Sequence, residues 1–413
     1  MMKNSPSAFG RDATGHPTWA AYRQRAFDEV PTRRQARALL QELAGQPCLA
    51  APVAPDAPLV IYGAGNFGRM ALDFLNDVGI EAVMVIDAKA DQLRGSKAWS
   101  GIDLRTPDEV PEQLKSDALL ALSVVTSPVL PLLEGLQQQG WKRCVPFYDV
   151  AQSFRPKHPL SNGWFAEPLS ASDLDAVGEC LDGWDDDLSR AHHLMFLAWR
   201  LARQEWHFVG VTVDNANRFF IEEVLGAVKP DDLFLDGGAH HGSVSEAFLA
   251  VSGPNSHIVA FEPDEANADR FAAWCANQPG QVRARIELRR VALDALSRDR
   301  RFHGGLGYMS QLTGDGPETV VTQTIDAADL DPGFVKLHLE GGELDALKGS
   351  LATLTRSRPV IAVTVYHNAD GLWRTARWMR ENLKDYLLLM RTHSWCGTGA
   401  VIYAIPDERK PVS

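Results

Sequence analysis

The chain has 413 residues, 45% of them hydrophobic and 23% charged, and a formal net charge of −12. That length exceeds one ordinary core and points to two domains. The acidic balance excludes a general nucleic-acid binder, which needs a basic face to neutralise phosphate. The cysteines (Cys48, Cys144, Cys180, Cys275 and Cys396) are scattered without a CxxC pair, so neither structural zinc nor a disulfide framework is expected. No apolar run reaches spanning length and no apolar signal core follows the first residues, so a cytoplasmic protein without a membrane span is expected.

The first 57 residues predict a helical segment, patterned from Trp19 to Leu43, and a proline-rich linker over 50–58. Residues 58–150 then alternate short apolar strands (59–63, 82–87, 118–124, 143–147) with helices at 66–78, 108–115 and 127–139. Alternation of this kind predicts a parallel sheet covered by helices, a small Rossmann-like unit. Residues 151–230 predict a helical connector, helical from Asp173 to Arg203, in which the acidic run from Asp182 to Asp187 forms a solvated turn and N-cap. Residues 231–406 predict a second α/β unit. Its strands are 233–237, 257–262, 285–292, 334–340, 360–366, 386–392 and 400–405, and its helices 243–251, 265–276, 342–355 and 370–384. An insertion with one strand near 319–325 follows the third strand. The last two strands share a short loop, and short loops join antiparallel neighbours.

Each α/β unit opens on a glycine turn with an acidic strand end about twenty residues later. In the first, Gly63-Ala-Gly65-Asn-Phe-Gly68 is followed by Asp87; in the second, Asp236-Gly237-Gly238-Ala-His-His-Gly242 is followed by Glu262-Pro263. A strand, glycine turn and helix N-terminus bring backbone N–H groups close to a ligand, and a carboxylate at the next strand end suits ribose hydroxyls. Only the first turn has dinucleotide spacing. Gly63, Gly65, Gly68 and Asp87 are therefore candidates for a nucleotide, a nucleotide-sugar or NAD. A fold-making turn with no ligand is the alternative, because Gly63 and Gly65 suit a sharp turn and Gly68 suits helix packing.

The second unit resembles the FkbM family of S-adenosylmethionine-dependent methyltransferases. The resemblance is carried in order by Asp236-Gly-Gly-Ala-His-His-Gly242, Phe261-Glu-Pro263, Arg290-Val-Ala-Leu293, Thr324-Ile-Asp326, the run from Val335 to Gly349, and Arg358-Pro359 before a strand ending Tyr366-His367. It implies a class I methyltransferase sheet of seven strands with the last one reversed. It further implies S-adenosylmethionine as cofactor and a sugar, glycan or secondary-metabolite hydroxyl as acceptor. Asp236, Gly237, Gly238 and Gly242 would lie at the methionyl end, Glu262 and Pro263 at the ribose, and Val291 and Ala292 beside the adenine. The first unit is similar to the small domain preceding some FkbM members and to the nucleotide-sugar-binding half of bacterial sugar acetyltransferases.

The family's usual Lys-x-Asp-x-Glu-Gly is here Lys336-Leu-His338-Leu-Glu340-Gly341, with histidine in place of aspartate. A histidine suits proton removal near neutrality, so His338, Glu340 and His367 are the catalytic candidates and no metal is expected. The alternative for His338 is a satisfied histidine in an eroded site. His240, His241 and the His303–Gly307 stretch with Tyr308 are further substrate-side or lid candidates, and the Cys396 turn is read as a plain hairpin. Two other functions stay open: an NAD-dependent oxidoreductase using the first turn, and a methyltransferase fold kept as a binding module. The oligomeric state is not legible.

Overall fold

The computed structural model describes residues 21–160, 164–253 and 255–410. Strand β1 (Arg23–Phe27) precedes a helix at Arg33–Ala44. Continuous helix was expected from Trp19, which lies outside the described residues. Pro31 explains the break: the residue before a proline is pushed out of the helical region, and Thr32 then caps the new helix with Gln35.

The first α/β unit contains β2 (Leu59–Tyr62), β3 (Ala82–Ile86), β4 (Leu104–Arg105), β5 (Leu119–Leu122) and β6 (Arg143–Pro146). They form a parallel sheet in the order β4-β3-β2-β5-β6. Helices Asn66–Asp77 and Val129–Gln138 cover it with Leu72, Phe74, Leu75, Leu133 and Leu136.

The segment between the two units holds two helices, Ala171–Gly183 and Asp187–Ala202, divided at the acidic run where a turn and N-cap were expected. Asp186 caps the second by accepting the Ser189 N–H at 2.7 Å. Strand β7 (Gln204–Phe208), not anticipated, pairs in parallel with β1. Helix Arg33–Ala44 packs on both connector helices through Ala36, Leu40 and Leu43. Helix Asp187–Ala202 lies against the second sheet, tied there by Arg391 to Asp186 at 2.7 Å.

The second unit begins with β8 (Leu233–Gly237), β9 (His257–Phe261) and β10 (Ile286–Arg289). The chain then leaves the main sheet. β11 (Ala292–Leu293), β12 (Asp299–His303), β13 (Gln311–Leu312) and β14 (Glu318–Gln323) build a small sheet in the order β11-β14-β12-β13, so the strand expected over 285–292 is divided between two sheets. β15 (Phe334–Leu337), β16 (Val360–Thr364), β17 (Tyr386–Thr392) and β18 (Ala400–Pro406) complete the main sheet. Its order is β10-β9-β8-β15-β16-β18-β17, with only β18, the last in sequence, antiparallel to its neighbours. This is the expected seven-stranded sheet with its last strand reversed. The helix expected over 342–355 is broken after Lys348, where a side chain on Gly349 would stand 2.4 Å from the Asp294 carbonyl oxygen. Among the described residues no helix is long and apolar enough to cross a membrane.

Adjacent central strands β8 and β15 are locked at their carboxyl ends by one buried cation. Lys336 Nζ donates to Asp236 Oδ1 at 2.9 Å, to the Gly237 carbonyl at 3.1 Å and to the Gly238 carbonyl at 2.8 Å. Asp236 also accepts from Ser245 Oγ at 2.7 Å. Both partners of the ion pair are closed to solvent, so removing one strands a charge in a low dielectric. Asp236→Ala should lower stability by about 3–5 kcal/mol, measured by urea unfolding; a loss below about 1 kcal/mol would refute that role.

Candidate active site

The carboxyl ends of β8, β9 and β15 and the inserted small sheet line an open cleft of about 640 Å³, mouth included. Of the residues singled out from the sequence, Gly238, Glu262, Pro263, Val291, Ala292, His338 and Glu340 line it. Asp236, Gly237 and Gly242 stand behind it. Asp236 is fully buried against Lys336 and Ser245. A side chain on Gly237 would strike Leu337 and Leu293, and one on Gly242 would strike Trp274. Gly238 is the close-approach glycine: its φ is +73°, and a Cβ would lie 2.0 Å from the His338 carbonyl oxygen.

Glu262 ends β9 with both oxygens engaged by backbone. Oε2 accepts the His240 N–H at 2.8 Å and Oε1 the Asp264 N–H at 3.0 Å. Burial pushes its carboxyl up to about 7, against the downward pull of those two donors. Asp87 of the first unit repeats the pattern, accepting the Ala64 N–H at 2.7 Å and the Lys89 N–H at 2.7 Å. Around that first turn the glycines differ. Gly63 has φ +108° and sits against the Ser123 carbonyl, and a side chain on Gly68 would overlap the Gly63 carbonyl. Gly65 has no positive φ, and a Cβ placed on it would meet nothing within 4 Å, so the fold does not demand glycine there.

Opposite Glu262, the ends of β15 and β16 converge. His338 Nε2 lies 3.3 Å from His367 Nε2 and 3.4 Å from Glu340 Oε1, and His367 Nε2 lies 3.2 Å from the same Oε1. His367 sits behind His338, buried, with Nδ1 on Glu343 Oε1 at 3.1 Å. Glu343 is fixed by Thr364 Oγ1 at 2.8 Å and by the Leu339 and Gly341 N–H groups. Burial lowers His338 to about 4, so it is neutral at pH 7. Burial acts the same way on His367, but Glu340 and Tyr366 overcome it and raise that histidine above its ordinary value. Glu340 is driven down to about 2, because the two histidines outweigh its burial.

Several lining residues were not singled out in the sequence: Phe302, Ser310, Gln311 and Leu312 from the insertion, and Asn267. The insertion's Gly-rich loop is tied down. Asp264 Oδ2 accepts the Gly305 N–H at 2.6 Å and Ser310 Oγ at 2.7 Å, and Asn267 Nδ2 donates to the Gly307 carbonyl at 3.0 Å. Tyr308 from this loop stacks on His240 at 3.8 Å between ring centroids. His240 in turn stacks on His241, has φ +50°, and leaves its buried Nε2 without a partner. Cys396 is buried and its thiol is raised by burial, which does not suit a nucleophile.

Residues 236–391 match the methyltransferase FkbM domain. The matched stretch spans the main sheet from the end of β8 to β17, with the cleft residues inside it. In overall structure the chain is similar to a methyltransferase FkbM from Methylobacillus flagellatus KT, with a TM-score of 0.56 and 15% identity over 90% of this chain and 98% of that one. At that identity the likeness is one of fold, and it covers both α/β units. A SAM-dependent methyltransferase from Aquifex aeolicus (TM-score 0.27, 10% identity, 44% of this chain and 84% of that one) is more distant. So is an Aeropyrum pernix fibrillarin in complex with S-adenosyl-L-methionine (0.29, 10%, 46% and 72%). Both scores lie below the level at which whole folds correspond. No protein of curated function matches the chain in sequence.

Gly238→Ala should destabilise the second unit by more than about 1–2 kcal/mol, the cost of a left-handed residue before any clash is added. Gly65→Ala should stay within about 0.5 kcal/mol of the parent. Thermal and urea unfolding of the two variants check both, and equal losses would contradict the geometry.

Proposed function

We propose that the chain is an S-adenosylmethionine-dependent methyltransferase acting on a hydroxyl of a sugar, glycan or secondary metabolite. The observation that carries this reading is the two-pole cleft. A strand-end carboxylate suited to a ribose, Glu262, faces a cluster of proton-accepting groups around His338. Methyl transfer needs the acceptor oxygen in line with the methyl–sulfur bond, water kept out, and the hydroxyl proton removed. Glu262 accepts the ribose hydroxyls, Pro263, Val291 and Ala292 flank the nucleoside, and Gly238 lets the methionyl end approach the backbone. Asp236, Gly237 and Gly242 serve the same end indirectly, by shaping the turn.

The acceptor hydroxyl meets the cluster at His338, the histidine open to the cleft. As the oxygen bonds to the methyl carbon, the carbon–sulfur bond breaks and its electron pair stays on sulfur. The hydroxyl proton passes to the neutral imidazole of His338, which His367 and Glu340 hold in place. Tyr308 and the tied loop cover the cofactor side.

For the first unit, we propose binding of a nucleotide, nucleotide-sugar or NAD at Gly63, Gly65, Gly68 and Asp87, presenting or sensing the acceptor. Gly65 supports this, because nothing within the protein requires it to lack a side chain. The two units also meet beside the cleft. Leu306 and Met309 of the insertion pack into the core of the first unit. A cytoplasmic location suits this chemistry.

S-adenosylhomocysteine should bind the purified protein, and Glu262→Ala should weaken it at least about tenfold while circular dichroism stays unchanged. The ionised carboxylate is the form that accepts ribose hydroxyls, and its value near 7 sets the pH window. Affinity should therefore fall as pH drops from 8 to 6, approaching about tenfold per unit below 7, and Glu262→Gln should flatten the profile. Calorimetry at the two pH values checks this; a flat wild-type profile would remove Glu262 from the ribose. With an acceptor in hand, His338→Ala should cut turnover by about 10²–10⁴-fold with cofactor affinity unchanged.

A further inference from the structure

We infer that His338, His367 and Glu340 form a binding site for one divalent transition-metal ion, with zinc the best fit. Their three ligand atoms, His338 Nε2, His367 Nε2 and Glu340 Oε1, stand 3.3, 3.4 and 3.2 Å apart, a nearly equilateral triangle. An ion bound at about 2.0–2.1 Å to nitrogen and about 2.0–2.2 Å to oxygen in a tetrahedron needs ligand atoms about 3.3–3.4 Å apart. The triangle therefore matches one tetrahedral face, with the ion about 0.8 Å off its plane and a fourth position left over.

The orientation of the ligands agrees. The imidazole centroids are 4.9 Å apart while the Nε2 atoms are 3.3 Å apart, so the two rings turn their Nε2 edges toward each other. His367 presents Nε2 because Nδ1 is engaged by Glu343, which is held in turn by Thr364 and by the Leu339 and Gly341 N–H groups. A carboxylate behind a ligating histidine is the usual support of such sites. Glu340 reaches the triangle only by adopting φ +51°, a conformation that side chains other than glycine's rarely take. Two imidazoles and one carboxylate select a first-row transition ion over magnesium or calcium, which prefer oxygen throughout.

This deepens the methyl-transfer reading and rests on it for its consequence. With the ion present, His338 is a ligand and not the base. The ion would then supply the acidifying charge for an acceptor hydroxyl at the fourth position, whose proton would leave to water at the cleft mouth as its oxygen bonds to the sulfonium methyl. The carbon–sulfur electron pair stays on sulfur as before.

The full-length protein, stripped with a chelator, is titrated with zinc against a chromophoric competitor, and with cobalt while the visible spectrum is followed. One zinc per chain and the intense cobalt bands of a tetrahedral site are expected. His338→Ala and His367→Ala should each weaken zinc at least a hundredfold, and Cys48→Ser should not. Glu340→Gln, which keeps the side-chain shape, should weaken zinc with the circular dichroism unchanged and so covers the case in which a histidine variant does not fold. Absence of stoichiometric zinc, or affinity unchanged in Glu340→Gln and the folded histidine variants, overturns the site. Calorimetry with S-adenosylhomocysteine on the same stripped sample separates the two readings. Cofactor binding without zinc removes the ion alone, whereas zinc without cofactor binding removes the methyl-transfer reading and leaves the ion.

Discussion

The Lys336 ammonium is the constraint on which the site depends. It takes the Asp236 carboxylate and the carbonyls of Gly237 and Gly238 at the point where β8 and β15 both run out. The Gly237 carbonyl also accepts the His338 N–H at 3.1 Å, so the backbone already joins the two strand ends there. The lysine adds a charged donor to both carbonyls and fixes the glycine turn against the next strand end, so closely that a side chain on Gly238 would strike the His338 carbonyl. The glycine turn after β8 and the loop after β15 are thereby held against each other. Asp236, which a motif reading places at the cofactor, is bound here by this lysine and by Ser245.

The two α/β units solve the same local problem in the same way. Asp87 and Glu262 each bind one N–H in the preceding glycine turn and one N–H two residues ahead. Each carboxylate stitches its own strand end to the turn before any ligand arrives. Carboxylate oxygens have lone pairs to spare, so this stitching does not exhaust them. The units part company in what lies opposite. The second faces the histidine–glutamate cluster and carries the inserted sheet, which is anchored by Asp264 on one side and by the core of the first unit on the other.

Much of this was legible in the sequence, for reasons that can be named. Short apolar runs alternating with amphipathic helices are read reliably because both periods are enforced by burial, and the reversed last strand follows from the short loop after Thr392. Lys336-Leu-His338-Leu-Glu340 and Tyr366-His367 could be placed over one crevice because both follow strands that end at the same edge. What stayed hidden depends on long-range pairing. Nothing local marks β7 as a partner of β1, 181 positions apart by the Arg23–Gln204 register, or tells that β11 leaves the main sheet for β14. The convergence of three ligand atoms on one point was equally invisible. Alternation along β15 says that His338 follows the buried Lys336 on one side, but not that the chain then turns through φ +51° at Glu340 and φ +108° at Gly341 to bring the glutamate back.

That turn also bears on whether the histidine marks a site that has decayed. A loop freed from function has no reason to keep an acidic residue in the left-handed region, where asparagine or glycine is easier. Nor has it reason to keep two histidines and two glutamates packed around one point, when burial of ionisable groups costs free energy and any apolar replacement would relieve it. Here the strain is present, the charges are buried, and Thr364 and two backbone N–H groups hold the supporting glutamate in place. Under the proposed function, strain and buried charge held together favour a working cluster at the strand end over a decayed one.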